Sequence, residues 1–158
     1  MTFPRVYLVD VMRRLSINSS FQEKTEKLCL LLERLAEKSG EGAIIIVEGS
    51  KDAETLKSYG VKGKICCIKN RRIPIYDLLN QYVNTDEELI VLTDFDRRGV
   101  QLAKKIVAYM EKHGKPVNLT FWTTLYGMFS NDIKDVEGIG TYLKNAKRKY
   151  YKQPTPLS

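Results

Sequence analysis

Ile44-Ile45-Ile46-Val47-Glu48-Gly49 and Leu89-Ile90-Val91-Leu92-Thr93-Asp94-Phe95-Asp96 share one pattern: an unbroken apolar run that ends in acid. Four or five aliphatic residues in a row leave no solvent face, so both runs read as buried parallel strands. In an open α/β sheet the carboxyl ends of the strands form the edge where ligands bind, and the two sets of carboxylates are expected to meet there. That placement points to a metal site rather than to a surface charge pattern.

Working outward, Ser20-Phe21-Gln22-Glu23 has capping-box spacing, and Leu28, Leu31, Leu32 and Leu35 follow at helical intervals up to Ser39-Gly40. The strand at 43–47 leads into a short helix marked by Ala53, Leu56 and Tyr59 and closed by Gly60. A second strand covers Lys64 to Ile68, and Pro74 opens a helix through Leu78, Leu79 and Tyr82. After the strand at 89–93, the stripe Val100, Ala103, Ile106, Val107, Met110 predicts a helix that stops near His113-Gly114, and Val117 to Trp122 reads as a last strand. The alternation predicts an α/β fold: a mostly parallel four-stranded sheet with right-handed crossovers and helices on both faces. A helical extension (1–40), the α/β domain (41–123) and a basic helical extension (124–158) are expected. Val6 to Met12 reads equally as strand or helix start, Asn131 to Tyr151 as helix, and Gln153 to Ser158, with two prolines, as a frayed end.

A chain of 158 residues fits one main domain. Its net charge of +7 favours phosphate-rich partners, because neutralising nucleic-acid phosphates releases counterions. Cys29, Cys66 and Cys67 form neither a disulfide framework nor a CxxC pattern, which fits a reducing cytoplasm. No apolar stretch approaches the ~20 residues of a membrane span, and no secretory leader is expected.

Asp94 and Asp96 are two apart, so in an extended chain their side chains leave on one side and share one ion. Mg²⁺ prefers oxygen ligands and takes one or two protein carboxylates, completing its shell with water and phosphate. Glu48, from a neighbouring strand end, would complete the site or act as acid or base. Gly49 and Gly99 admit close backbone approach, Lys51, Arg97 and Arg98 supply charge, and the helix beginning near Arg98 aims free amides at an anion. For any single residue a plain role serves as well: Asp52 and Asp96 as helix caps, the arginines as solvated charge.

Val47-Glu48-Gly49 together with Asp94-Phe95-Asp96-Arg97-Arg98-Gly99 resembles the two motifs of the Toprim domain, found in topoisomerases, bacterial-type primases, OLD-type nucleases, recombination-repair proteins and ribonucleases that mature ribosomal RNA. The resemblance covers about residues 42–122. It is strongest to the stand-alone small Toprim proteins of archaea and to the ribosomal RNA maturases, and implies a Rossmann-like fold. It makes Glu48 a general acid/base or metal ligand and Asp94 and Asp96 ligands of Mg²⁺, with Mn²⁺ as substitute. Type IA topoisomerases carry a glutamate after the motif's glycine where this chain has Val100, and 158 residues leave no room for a domain bearing a nucleophilic tyrosine. Three cysteines exclude the four-cysteine zinc site a complete primase would need.

Val136-Glu137-Gly138-Ile139-Gly140-Thr141 has the spacing of a helix-hairpin-helix turn, with two short helices joined by a glycine turn as the plainer reading. Lys144, Lys147, Arg148 and Lys149, with Tyr142, Tyr150 and Tyr151, combine charge and rings as nucleic-acid surfaces do, while Tyr142, Leu143, Ala146 and Tyr150 equally form a core-facing stripe. His113, the only histidine, reads as a helix C-cap, and Trp122 as core at a strand end.

The combined expectation is Mg²⁺-dependent phosphodiester chemistry on nucleic acid, an RNA-directed nuclease, with RNA favoured over DNA by the resemblance. A non-catalytic RNA- or DNA-binding module of a larger complex and primase-like nucleotidyl transfer stand as alternatives. Expected partners are nucleic acid, a second copy of the chain, or an RNA-processing or repair complex, and no membrane.

Overall fold

A computed structural model describes residues 19–69 and 72–151. The readings of Val6–Met12 and of Gln153–Ser158 lie outside the described residues. The elements are α1 (Ser19–Gly40), β1 (Ile44–Val47), α2 (Ser50–Ser58), β2 (Ile65–Cys67), α3 (Ile75–Asn80), β3 (Leu89–Leu92), α4 (Arg97–Lys112), α5 (Thr120–Phe129) and α6 (Val136–Tyr151).

The sheet is parallel with order β2-β1-β3. Every residue of β1 and β3 is buried, as their unbroken apolar runs require. The two strands pair in step, Ile44 with Leu89 through Val47 with Leu92, so Glu48 and Asp94 emerge from adjacent strands at one edge. From β1 the chain moves to one side through α2 to reach β2, then crosses back over β1 through α3 to reach β3. Right-handed crossovers in opposite directions put α2 and α3 on opposite faces. The packing agrees: α3 lies against α4, while α2 packs on α6 and α1 on α5. One hydrophobic cluster joins Leu28, Leu32 and Leu35 of α1, the three strands, Ala103, Ile106 and Met110 of α4, and Ile139 and Leu143 of α6. The segments on either side of the sheet therefore share its core.

The expected fourth strand is corrected to a single bridge. Among the described residues the sheet has three strands, and Asn118 alone of the Val117–Trp122 run pairs with it, parallel to Ile90. Asn118 donates its N–H to the Leu89 carbonyl at 2.7 Å and accepts the Val91 N–H at 3.2 Å. Its side-chain Oδ1 then takes the Thr120 N–H at 2.8 Å and turns the chain into α5, where Phe121, Trp122, Leu125 and Phe129 are buried at helical spacing. A short apolar run suits a buried strand or a helix equally, and the asparagine decides between them locally. Val136–Thr141 is likewise no glycine turn: α6 begins at Val136, where Asp135 Oδ1 accepts the Gly138 N–H at 2.7 Å, an N-cap bond.

Candidate functional site

At the end of β1 Glu48 is only 6% exposed, and both its side-chain oxygens are engaged. Oε2 accepts the Asp94 backbone N–H at 2.6 Å, and Oε1 lies 3.7 Å from Lys69 Nζ, which comes from the end of β2. Asp52, also buried, turns back on the same loop: Oδ2 accepts the Gly49 N–H at 3.2 Å and Oδ1 the Glu137 N–H at 2.9 Å. Burial outweighs these two bonds, and with the charges of Asp135 and Glu48 it raises the Asp52 carboxyl above its ordinary value. Gly49 has open space on its Cβ side apart from Asp52 Oδ2 at 3.8 Å, so packing does not explain why it is glycine.

At the end of β3, Thr93 Oγ1 donates to the Gly99 carbonyl at 2.9 Å, and the Thr93 carbonyl accepts the Trp122 indole N–H at 3.0 Å. Phe95 is buried 6.0 Å from the Trp122 ring, and its N–H donates to the Lys134 carbonyl at 2.7 Å. A Cβ on Gly99 would overlap the Asp94 carbonyl oxygen, which is the steric reason the motif closes on glycine. Asp96 is exposed, and its Oδ1 caps α4 by accepting the Gly99 N–H at 2.7 Å. Asp94 differs from the other acids. Its Oδ1 is buried without a hydrogen-bond partner among the described residues. Burial, then the neighbouring charges of Glu48 and Asp52, push its carboxyl up to about 7; a side-chain hydrogen bond with Glu48 adds to the rise and Lys69 opposes it.

A buried, unpartnered carboxylate oxygen facing other acids is costly unless a proton or a cation meets it. Glu48 and Asp94 come together here and Asp52 adds to the pair, whereas Asp96 sits on the same loop with its carboxylate in solvent. Among the described residues no three His, Cys, Asp or Glu side chains are arranged to hold a metal ion.

Lys51, Arg97 and Arg98 are exposed beside the two strand ends. In α6, Lys144 and Arg148 are exposed and Lys147 half-buried, while Leu143 and Ala146 are buried and Tyr142 packs between Phe21 and Phe129. One face of this helix is thus core and the other basic. His113 is the C-cap of α4, its Nδ1 2.9 Å from the Tyr109 carbonyl oxygen, away from the acids. Two members of the cluster were missed as site residues. Asp52 read only as a helix cap, and Lys69 carried no motif; its position just past the second strand was the available signal.

Residues 43–122 match the Toprim domain. The chain belongs to the Toprim family. It is 33% identical over 129 residues to a UPF0292 protein of Methanosarcina barkeri, covering 82% of this chain and 89% of that protein. It is 36% identical over 122 residues to a UPF0292 protein of Methanocaldococcus jannaschii, covering 77% and 93%. A structure of a putative protein from Aquifex aeolicus superposes with a TM-score of 0.57 at 22% identity over 68% of this chain and 94% of that one, a likeness of fold. These similarities place the chain with small archaeal Toprim proteins, and the Toprim domain implies metal-dependent chemistry on nucleic acid, with Mg²⁺ held by acidic residues. Among the described residues no helix is long and apolar enough to cross a membrane.

Proposed function

We propose that this Toprim protein is a Mg²⁺-dependent nuclease acting on RNA phosphodiesters in preference to DNA. The observation that carries the reading is the buried, unpartnered Asp94 Oδ1, on a residue whose N–H binds Glu48 and whose loop leads into the exposed Arg97 and Arg98 at the start of α4. Asp94 and Asp96 are the metal-holding carboxylates, with Glu48 beside them. An ion held by these carboxylates would supply the activation of water and the stabilisation of the leaving oxygen. Glu48 is braced by the Asp94 N–H through Oε2, and Oε1, whose looser 3.7 Å ion pair with Lys69 can open, is the oxygen that takes and returns a proton. Lys51, Arg97 and Arg98 hold the phosphates on either side, Gly49 and Gly99 keep side chains out of their path, and Lys144, Lys147 and Arg148 continue the basic surface along α6.

Cleavage of labelled structured RNA, single-stranded DNA and duplex DNA with Mg²⁺ or Mn²⁺ tests this, against EDTA and an Asp94→Ala/Asp96→Ala control. Metal-dependent cutting of RNA, lost in the control, is the expected result. A second reading, a non-catalytic nucleic-acid-binding module, draws on the two structural contacts of Glu48. It requires that Glu48→Gln leave binding intact in a chain that cuts nothing in any metal.

A further inference from the structure

Between α2 and α6 lies an open cavity of about 390 Å³ whose walls include Lys51 and Lys144, assigned above only as phosphate-holding charge. It falls within the roughly 300–1,000 Å³ of ligand pockets. One wall carries Lys51, Glu54 and Thr55 from α2, and the other Glu137, Thr141 and Lys144 from α6. The charged side chains on both walls are exposed to the cavity mouth, so a ligand can reach them. The floor is set by the close passage of the helices at Gly140, where a Cβ would stand 3.3 Å from the Thr55 methyl group. The cavity adjoins the acidic cluster directly. Lys51 precedes Asp52, and Asp52 holds the Glu137 N–H, so one carboxylate fixes the second wall against the Glu48 loop.

Its chemistry is mixed: two lysines and two glutamates, one of each per wall. A cavity built for phosphate alone would not carry carboxylates, which repel it. A carboxylate only accepts hydrogen bonds and therefore selects a ligand with donors. A ribonucleotide unit supplies both halves, a phosphate for the lysines and a 2′-hydroxyl that donates to a glutamate, and a deoxyribonucleotide lacks the second half. We infer that the α2–α6 cavity is a ribose-reading subsite, holding the nucleotide next to the scissile phosphodiester, with its phosphate between Lys51 and Lys144 and its 2′-hydroxyl on Glu54 or Glu137. The inference rests on the proposed RNA-directed function and gives it a physical source of preference for RNA.

Binding of one labelled single-stranded RNA and the DNA of the same sequence to the full chain, by fluorescence anisotropy with Ca²⁺ in place of Mg²⁺ and the RNA checked to be intact afterwards, provides the test. The native chain binds RNA about tenfold more tightly, the scale of one hydrogen bond to a charged group. Glu54→Ala/Glu137→Ala removes both acceptors and brings that ratio close to one, and Lys144→Gln weakens RNA and DNA alike. An RNA-to-DNA ratio that survives the double alanine variant overturns the subsite while leaving the metal-site function standing. A native chain that binds neither nucleic acid overturns both. Glu137 contributes its backbone N–H to Asp52, so its alanine variant keeps that bond and folds.

Discussion

Strand β3 has a carboxylate near each end, and the two are treated in opposite ways. Glu88, just before Leu89, is exposed, and it accepts hydrogen bonds from Lys38 Nζ at 2.9 Å and Asn118 Nδ2 at 3.0 Å. Its slight burial pulls upward, but those two bonds and the Lys38 charge outweigh it and hold its carboxyl below the ordinary value. Asp94, two residues beyond Leu92, has an unpartnered buried oxygen, acids around it and a value near 7. A fold selected for stability alone would have matched both ends. The amino-terminal edge is electrostatically closed and the carboxyl-terminal edge is left open, and open demand of this kind marks a functional site.

The largest effect follows from removing that demand. Asp94→Asn abolishes Mg²⁺ binding, measured by titration calorimetry, and lowers cleavage about 1,000-fold, since several kcal/mol of transition-state stabilisation go with the ion. The same variant unfolds at a higher temperature than the native chain in EDTA, because a repelling buried charge is gone. The pH dependence follows from the sign of the shift. Asp94 unfolded titrates near 4, so between about 4 and 7 the folded chain binds more protons, and metal-free stability falls as pH rises through that window. Asp94→Asn flattens this fall. A variant less stable than the native chain would mean that the carboxylate has an unseen partner and that the two ends of β3 do not differ in kind.

The glycines of the two motifs separate in the same way. Gly99→Ala drives a methyl into the Asp94 carbonyl and costs about 3 kcal/mol in urea unfolding. Gly49→Ala meets only the Asp52 carboxylate at 3.8 Å and stays within about 0.5 kcal/mol, yet slows cleavage by narrowing the space beside Glu48. Equal stability losses at both positions would make the open space at Gly49 a feature of packing and not of ligand access.

The parts of this site legible in sequence were those that depend on local pattern. Unbroken Ile44–Val47 and Leu89–Leu92 fixed two buried parallel strands, and their acids followed from strand polarity alone. The parts that were not legible depend on long-range convergence. Asp52 reaches Glu137 across 85 residues, and Lys69 reaches Glu48 only because β2 pairs with β1. The run Val117–Trp122 misled because its apolar residues satisfy a strand pattern, while Asn118 Oδ1 takes the Thr120 N–H and turns the chain into α5 instead. Asp135 caps α6 just before Val136, where the paired glycines had suggested a turn.

Asp52→Ala removes acceptors from the Gly49 and Glu137 amides together, and should cost about 1–3 kcal/mol while loosening α6 from the Glu48 loop. Hydrogen exchange at those two amides reads the loosening directly. Unchanged protection would mean that the core face of α6, through Ile139 and Leu143, holds the helix in place without help from the site.

The smallest effect belongs to the closed end of β3. Glu88→Gln removes one charge of an exposed pair whose side chains are 38% and 39% accessible, so solvent screening leaves about 0.5 kcal/mol at most. The sign of its pH dependence is the reverse of Asp94. A carboxyl held below its unfolded value contributes stability above that value and loses it as pH falls through the folded one, so the native chain and the Glu88→Gln variant converge in acid and separate above about pH 4–5. Salt narrows the gap, since the pair lies in water. Cleavage is unaffected, because Glu88 sits at the far end of the strand from Glu48 and Asp94. A loss of activity in Glu88→Gln at unchanged stability would break the comparison, since it would show the two ends of β3 coupled through the strand and not independently tuned.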